Sequence, residues 1–140
     1  MKIYVDDVRT PIDKDWIVIR TYEEFVEIVE KLGLDQIKLI SLDHDLGDKA
    51  ILEYYTNAVK YGIIDYDNLI DEKTGYDCAK WLVNKWLDGA PVCQVHTHSH
   101  NGVGRKNIKS LINNYYKNHN IDLEARSIYP KFIIENEKNE

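Results

Sequence analysis

The chain is expected to fold as an α/β domain, an open and mostly parallel sheet with helices on both faces. Three observations lead there. Short apolar, β-rich stretches alternate with stretches whose apolar residues recur at helical spacing, the pattern of strand–helix–strand units. The stretch from Ile37 to Leu42 is apolar on both faces, as strands of a parallel sheet are. Stop signals fall after the helical stretches, at Gly33 and at Gly89-Ala90-Pro91.

The elements follow in order. Residues 3–5 are a short apolar start that breaks off at Asp6-Asp7 and runs into Val8-Arg9-Thr10-Pro11. Residues 16–19 are β-rich and predict a second strand. Thr21 is then placed to cap a helix, with Glu24 completing a capping box. Phe25, Ile28, Val29 and Leu32 form that helix's apolar stripe. The third strand is 37–42. Residues 48–74 mix a short helical pattern with polar sequence and read as an excursion from the sheet. Gly75 opens a stronger helix striped by Cys78, Trp81, Leu82 and Trp86, whose tryptophans are expected in the core. Residues 92–95 are a fourth strand running into His-Thr-His-Ser-His-Asn. Ile108, Leu111, Ile112 and Tyr115 stripe another helix, and an edge strand is expected around Ser127–Tyr129.

The 140 residues suit one domain, expected over 1–134, with 135–140 as a frayed tail. The net charge of −6 argues against a broad grip on nucleic acid, which depends on neutralising phosphates. A small anionic ligand needs only a local basic pocket and stays open. Cys78 and Cys93 lie in apolar segments and are expected as buried free thiols. No segment approaches the roughly 18 apolar residues of a membrane span, and the start carries no signal-like apolar run. A cytoplasmic protein without membrane contact is expected.

In open α/β sheets, ligands bind beyond the carboxyl ends of strands. Three expected strands end in concentrated polar groups: Asp6-Asp7, Asp43-His44-Asp45, and the run from His96 to Asn101. A parallel sheet brings such ends together. Aspartates from two strands suit a hard divalent cation such as magnesium, which takes few carboxylates and holds phosphate oxygens. Asp6, Asp7, Asp43 and Asp45 are therefore the candidate metal ligands; the plainer reading is that Asp6 and Asp7 only start a turn. His96, His98 and His100 alternate and would share one face of an extended strand. They suit either zinc or acid–base chemistry, although His96 alone reads as a satisfied core residue. The turn Asn101-Gly102-Val103-Gly104, followed by Arg105, feeds a helix start that offers N–H groups to an anion. Arg9 is placed to clamp a phosphate or to neutralise the acids beside it.

The stretches VDDVRTP, SLDHDLG, GYDCAKWL and HSHNGVGRKNI, in this order, resemble the cyclic-phosphate processing receiver-like domain family. The resemblance runs from residue 1 to about 115. It falls on Asp6, Asp7, Arg9 and Pro11; on Asp43, His44 and Asp45; on Gly75, Tyr76 and Asp77; and on His98, Ser99, Asn101, Gly104 and Asn107. It implies a receiver-like (flavodoxin-like) sheet of four to five strands with the first helix shortened. It also implies an acidic pocket and a role in processing cyclic phosphates, in the setting of nucleotide-based conflict between phages and bacteria. Two departures stand out: the excursion at 48–74 is long, and the late Thr/Ser and Lys pair of receivers has no clear counterpart.

These readings converge on a metal-assisted phosphoesterase acting on a small cyclic phosphate or nucleotide. Asp43, His98 and His44 are its expected catalytic residues. Arg9, Ser99, Asn101, Gly104, Arg105 and Asn107 are expected to hold substrate, and magnesium is preferred to zinc. The alternative is a receiver-like module that binds a nucleotide without turnover or accepts a phosphoryl group on Asp43.

Overall fold

The computed structural model describes residues 1–134; the tail expected at 135–140 lies outside the described residues. Strands β1 (Lys2–Val5), β3 (Trp16–Ile19), β4 (Leu39–Leu42) and β5 (Gln94–Thr97) form one parallel sheet in the order β3-β1-β4-β5. A single parallel bridge from Thr97 to Ser127 extends it at the β5 edge, so the expected edge strand is present in its shortest form. The short strand β2 (Arg9–Pro11) pairs antiparallel with β6 (Phe132–Ile134) outside this sheet, a pairing the sequence pattern does not announce.

Helix α1 (Tyr22–Leu32) follows β3, α4 (Gly75–Leu87) follows the excursion, and α5 (Gly102–Asn118) follows β5. Thr21 caps α1 by accepting the Glu24 N–H at 3.1 Å. Glu24 reaches back one residue further than a capping box, to the Arg20 N–H. Thr74 and Asp77 close a full capping box on α4, fixing the entry of that helix.

The connections β3–α1–β4, β4–α4–β5 and β5–α5–Ser127 all step across the sheet in one direction. Right-handed crossovers then put α1, α4 and α5 on the same face. The packing agrees: α4 contacts both α1 and α5, and one core joins Ile3, Val5, Ile40, Leu42 and Val95 to Phe25, Leu82, Trp86 and Ile112. Cys78 and Cys93 are free thiols buried in this layer. The opposite face was expected to carry helices too. It presents Tyr4, Trp16, Val18, Ser41 and His96 instead, with Trp16 edge-on to Tyr4. The reason is the β1–β3 connection, which steps the other way. The shortening expected of its helix is carried to the end, since residues 6–15 hold β2 and no helix.

The chain direction reverses across β1, with β3 on one side and β4 on the other. This is the topological switch point, and the carboxyl ends of β1 and β4 open a crevice there. The excursion is a helical wall beside it: α2 (Asp48–Glu53), a wider π turn (Tyr54–Ala58), α3 (Val59–Tyr61) and a 3-10 turn (Tyr66–Leu69).

Candidate functional site

The register of β1 and β4 sets Val5 opposite Leu42, so the next residues of each strand leave the sheet side by side. Those residues are Asp6-Asp7 and Asp43. One carboxylate oxygen from each lies within 4.8 Å of the others.

Asp6 is fully buried. Its Oδ1 accepts the N–H groups of Val8 at 2.9 Å and Arg9 at 2.8 Å, so the plainer turn-starting role is real. Its Oδ2 faces His98 Nε2 at 3.1 Å and the Arg9 guanidinium at 3.6 Å. Burial acts to raise the Asp6 pKa, but the bonds from His98, Arg9 and Val8 outweigh it and hold the carboxyl below its usual value. Burial keeps the His98 ring below its usual pKa in spite of Asp6. The pair is therefore a carboxylate and a neutral imidazole. His98 Nε2–H donates to Asp6, and Nδ1 accepts from Ser41 Oγ at 2.7 Å, a tautomer assigned from these partners. The ring stacks on Tyr4 at 4.1 Å.

Asp7 and Asp43 behave differently. Burial and the Asp6 charge push the Asp7 carboxyl up to about 6. The same two causes hold Asp43 well above the usual carboxylate range, against a hydrogen bond from Ser99 and the charge of Arg9. Three carboxylates this close, two of them buried, form a site whose repulsion a cation would relieve. The donors are hard oxygens, which fits magnesium better than zinc.

Behind Asp43 lies a second chain of bonds. His44 is fully buried and donates from Nδ1 to Asp45 Oδ1 at 2.6 Å. Its Nε2 accepts from the Tyr66 hydroxyl at 2.9 Å, and Tyr66 accepts from Asn107 Nδ2 at 3.1 Å. Asp45 also accepts from Asn101 Nδ2 at 3.1 Å, while Asn101 Oδ1 caps α5 through the Gly104 N–H. Two glycines permit this packing. A Cβ on Gly75 would stand 1.8 Å from the Asp43 carbonyl oxygen, and one on Gly104 would stand 2.4 Å from His44 Cγ.

The cleft outside these layers measures about 210 Å³. Asp7, Asp43 and Asp45 line it together with Arg9, Ser99 and Asn101. With His100, seven of the residues singled out from sequence thus face one space. Asp6 joins their carboxylate cluster from beneath. His98 and His44 do not line the cleft; each has both ring nitrogens occupied by protein partners. Gly104 is buried against His44, Arg105 donates to the Ser99 carbonyl at 2.8 Å, and Asn107 is turned to Tyr66. The three alternating histidines separate: His96 Nδ1 accepts the Arg126 N–H, His98 is buried, and His100 is exposed at the cleft mouth.

Sequence reasoning missed Ile51, Tyr54 and Tyr55, which form the far wall of the cleft, and Tyr66, which ties that wall to His44. The signal for the first three was present as i, i+3, i+4 spacing. It was masked by the polar sequence around it. Phe132 was also missed; its ring carries the Arg9 guanidinium at 4.9 Å.

A parallel sheet with its acids gathered at the switch point defines a receiver-like domain. The family model described as the cyclic-phosphate processing receiver domain matches residues 1–114, and the chain belongs to that family. No curated protein and no solved structure matches it. The match ends within α5, so β6 and its contact with Arg9 lie beyond it. Among the described residues no helix is long and apolar enough to cross a membrane.

Proposed function

We propose that the cleft hydrolyses a small cyclic phosphate with the help of a divalent metal, in keeping with the family's cyclic-phosphate processing character. The observation that carries this reading is the cluster of Asp6, Asp7 and Asp43 within 4.8 Å, beside Arg9 on the wall of one cleft. A cation held by these carboxylates supplies Lewis-acid polarisation of a phosphoryl oxygen and a more acidic water.

The chain's own groups do the rest. Arg9 orients the phosphate oxygens, its guanidinium held by the His98 carbonyl at 3.3 Å and by the Phe132 ring. Ser99 and Asn101 line the same cleft. Hydrolysis forms one P–O bond to water and breaks one ring P–O bond; the proton lost by water ends on the freed ring oxygen. Asp45 and His100, both lining the cleft, are the groups that would carry that proton. His98 acts from behind as a positioning residue, fixing Asp6 through its Nε2–H.

The second reading is phosphoryl transfer to Asp43, favoured by its place at the end of a central strand beside Asp6 and Asp7. Screening cyclic mononucleotides and cyclic polyol phosphates by phosphorus NMR, with and without magnesium, tests both. Magnesium-dependent ring opening that is lost in Asp43→Asn is the expected result. Intact substrates, together with a mass gain from acetyl phosphate that Asp43→Asn abolishes, would replace the first reading with the second.

A further inference from the structure

The far wall of the cleft is the feature left without a role. Ile51, Tyr54 and Tyr55 lie at i, i+3, i+4 on one helical stripe, which ordinarily faces a core. Here the core-facing positions are others: Ala50, Glu53 and Ala58 are buried. The stripe turns instead toward the acids, leaving Ile51 42% and Tyr55 63% exposed. Apolar side chains held in water beside a charged cluster gain nothing from folding. A ligand that covers them supplies the missing burial.

The geometry of the wall is specific. The Tyr54 and Tyr55 rings stand 5.1 Å apart at 64°, an edge-on pair of which Tyr54 is half-buried and Tyr55 exposed. The π turn begins at Tyr54, and such turns inside helices recur at functional sites. The wall is also anchored to the site. Glu53 accepts from Asn57, Asn68 and the Asp65 N–H at 2.6, 2.9 and 2.9 Å. Glu72 caps α2 through the Ala50 N–H at 2.7 Å. Tyr66 bonds His44, which bonds Asp45. A pair of aromatic rings thus lines the same cleft as Arg9.

We propose that Tyr54 and Tyr55 are specificity residues that stack a planar heteroaromatic ring. The cleft then selects a nucleoside cyclic phosphate over a cyclic phosphate that lacks a base. The space of about 210 Å³ is small for a cyclic dinucleotide. This inference rests on the proposed phosphate site, and its test separates the two.

The probes are adenosine 2′,3′-cyclic phosphate and glycerol 1,2-cyclic phosphate, compared by kcat/KM and by equilibrium dialysis with magnesium. The wild type is expected to favour the adenosine compound by about tenfold or more, the scale of one base–aromatic stack. Tyr54→Leu/Tyr55→Leu should bring the ratio close to one, and Tyr54→Phe/Tyr55→Phe should restore it. A ratio is insensitive to a general loss of folded protein. Turnover of both probes with a ratio near one, or a ratio unchanged by the leucines, overturns the inference and leaves the phosphoesterase reading standing. Absence of turnover with tighter, leucine-sensitive binding of the adenosine compound supports the inference and removes the enzyme. Binding of neither probe overturns both.

Discussion

Two parts of the molecule meet at the cleft and are held in place by different means. The acidic rim is carried by strand ends. Asp6, Asp7 and Asp43 follow directly from β1 and β4, whose ladder is extended by the Asp43 N–H to the Val5 carbonyl at 2.9 Å. The aromatic wall belongs to no sheet. It is held by side chains: Glu53 within it, Glu72 at the start of α2, and Tyr66 across to His44. A rim built on a ladder keeps its geometry when one side chain changes, so substitution there alters chemistry first. A wall held by a few polar tethers moves when one is lost.

The sharpest separation of chemistry from placement is Asp43→Asn. It removes a ligand and a charge while leaving the backbone ladder intact. Magnesium-dependent turnover should fall by about 10²–10³-fold, the usual scale for losing one group that stabilises the transition state. The thermal stabilisation that magnesium gives the wild type by mass action should vanish with it. Without metal the variant should melt higher than the wild type, because the strained carboxylate is gone. Melting curves of both proteins with and without magnesium check this, and a lower metal-free midpoint would contradict it.

Gly75→Ala breaks the rim itself. The new methyl would meet the Asp43 carbonyl oxygen at 1.8 Å, and this atom is backbone that cannot swing away. The loss should be about 3 kcal/mol, at the upper end of what overpacking costs. Urea unfolding measures it. Gly104→Ala meets the His44 ring instead.

This contrast also explains what was legible in the sequence. Strand ends are local: an apolar run that stops at Asp-Asp or at Asp-His-Asp marks the rim without knowledge of the fold. The cap at Thr21, the stop at Gly33 and the stripe of α4 are legible for the same reason. The bonds that remove His98 and His44 from the cleft are not local. They span 92 residues in the case of Asp6 and 22 in the case of Tyr66. A histidine that follows a strand looks the same in sequence whether it faces solvent or backs an aspartate. The β2–β6 pair was hidden because each strand is three residues long, too short for alternation to register.

Tyr66→Phe tests the wall's tether at little cost in volume. It removes the hydroxyl that donates to His44 and accepts from Asn107, leaving both partners short of one bond. A loss of about 1–2 kcal/mol is expected. Its mark is location: hydrogen exchange should speed up across residues 48–74 and stay unchanged in β1 and β4. Uniform acceleration would mean that rim and wall unfold as one unit.

The smallest effect isolates the rim's electrostatics through pH. Asp7 titrates near 6 and Asp43 well above its usual value, whereas both titrate near 4 in an unfolded chain. Above the folded values the ionised carboxylates cost stability. As pH falls through them, the folded protein takes up protons that the unfolded chain does not, and stability rises. His98 works in the opposite direction, since its pKa is lowered by burial: below about pH 6.5 the unfolded chain takes up a proton that the folded ring resists. The lowered pKa of Asp6 matters only in more acidic solution. The wild-type curve alone therefore mixes two signs. The difference between wild type and Asp43→Asn does not, because His98 is common to both. Without metal, the variant's advantage should be largest at high pH and shrink as pH falls, because wild-type Asp43, whose pKa is raised by burial and the Asp6 charge, takes up a proton and comes to resemble the amide. An advantage that is constant with pH would place Asp43 in the neutral form throughout and leave the cation to be held by Asp6 and Asp7 alone.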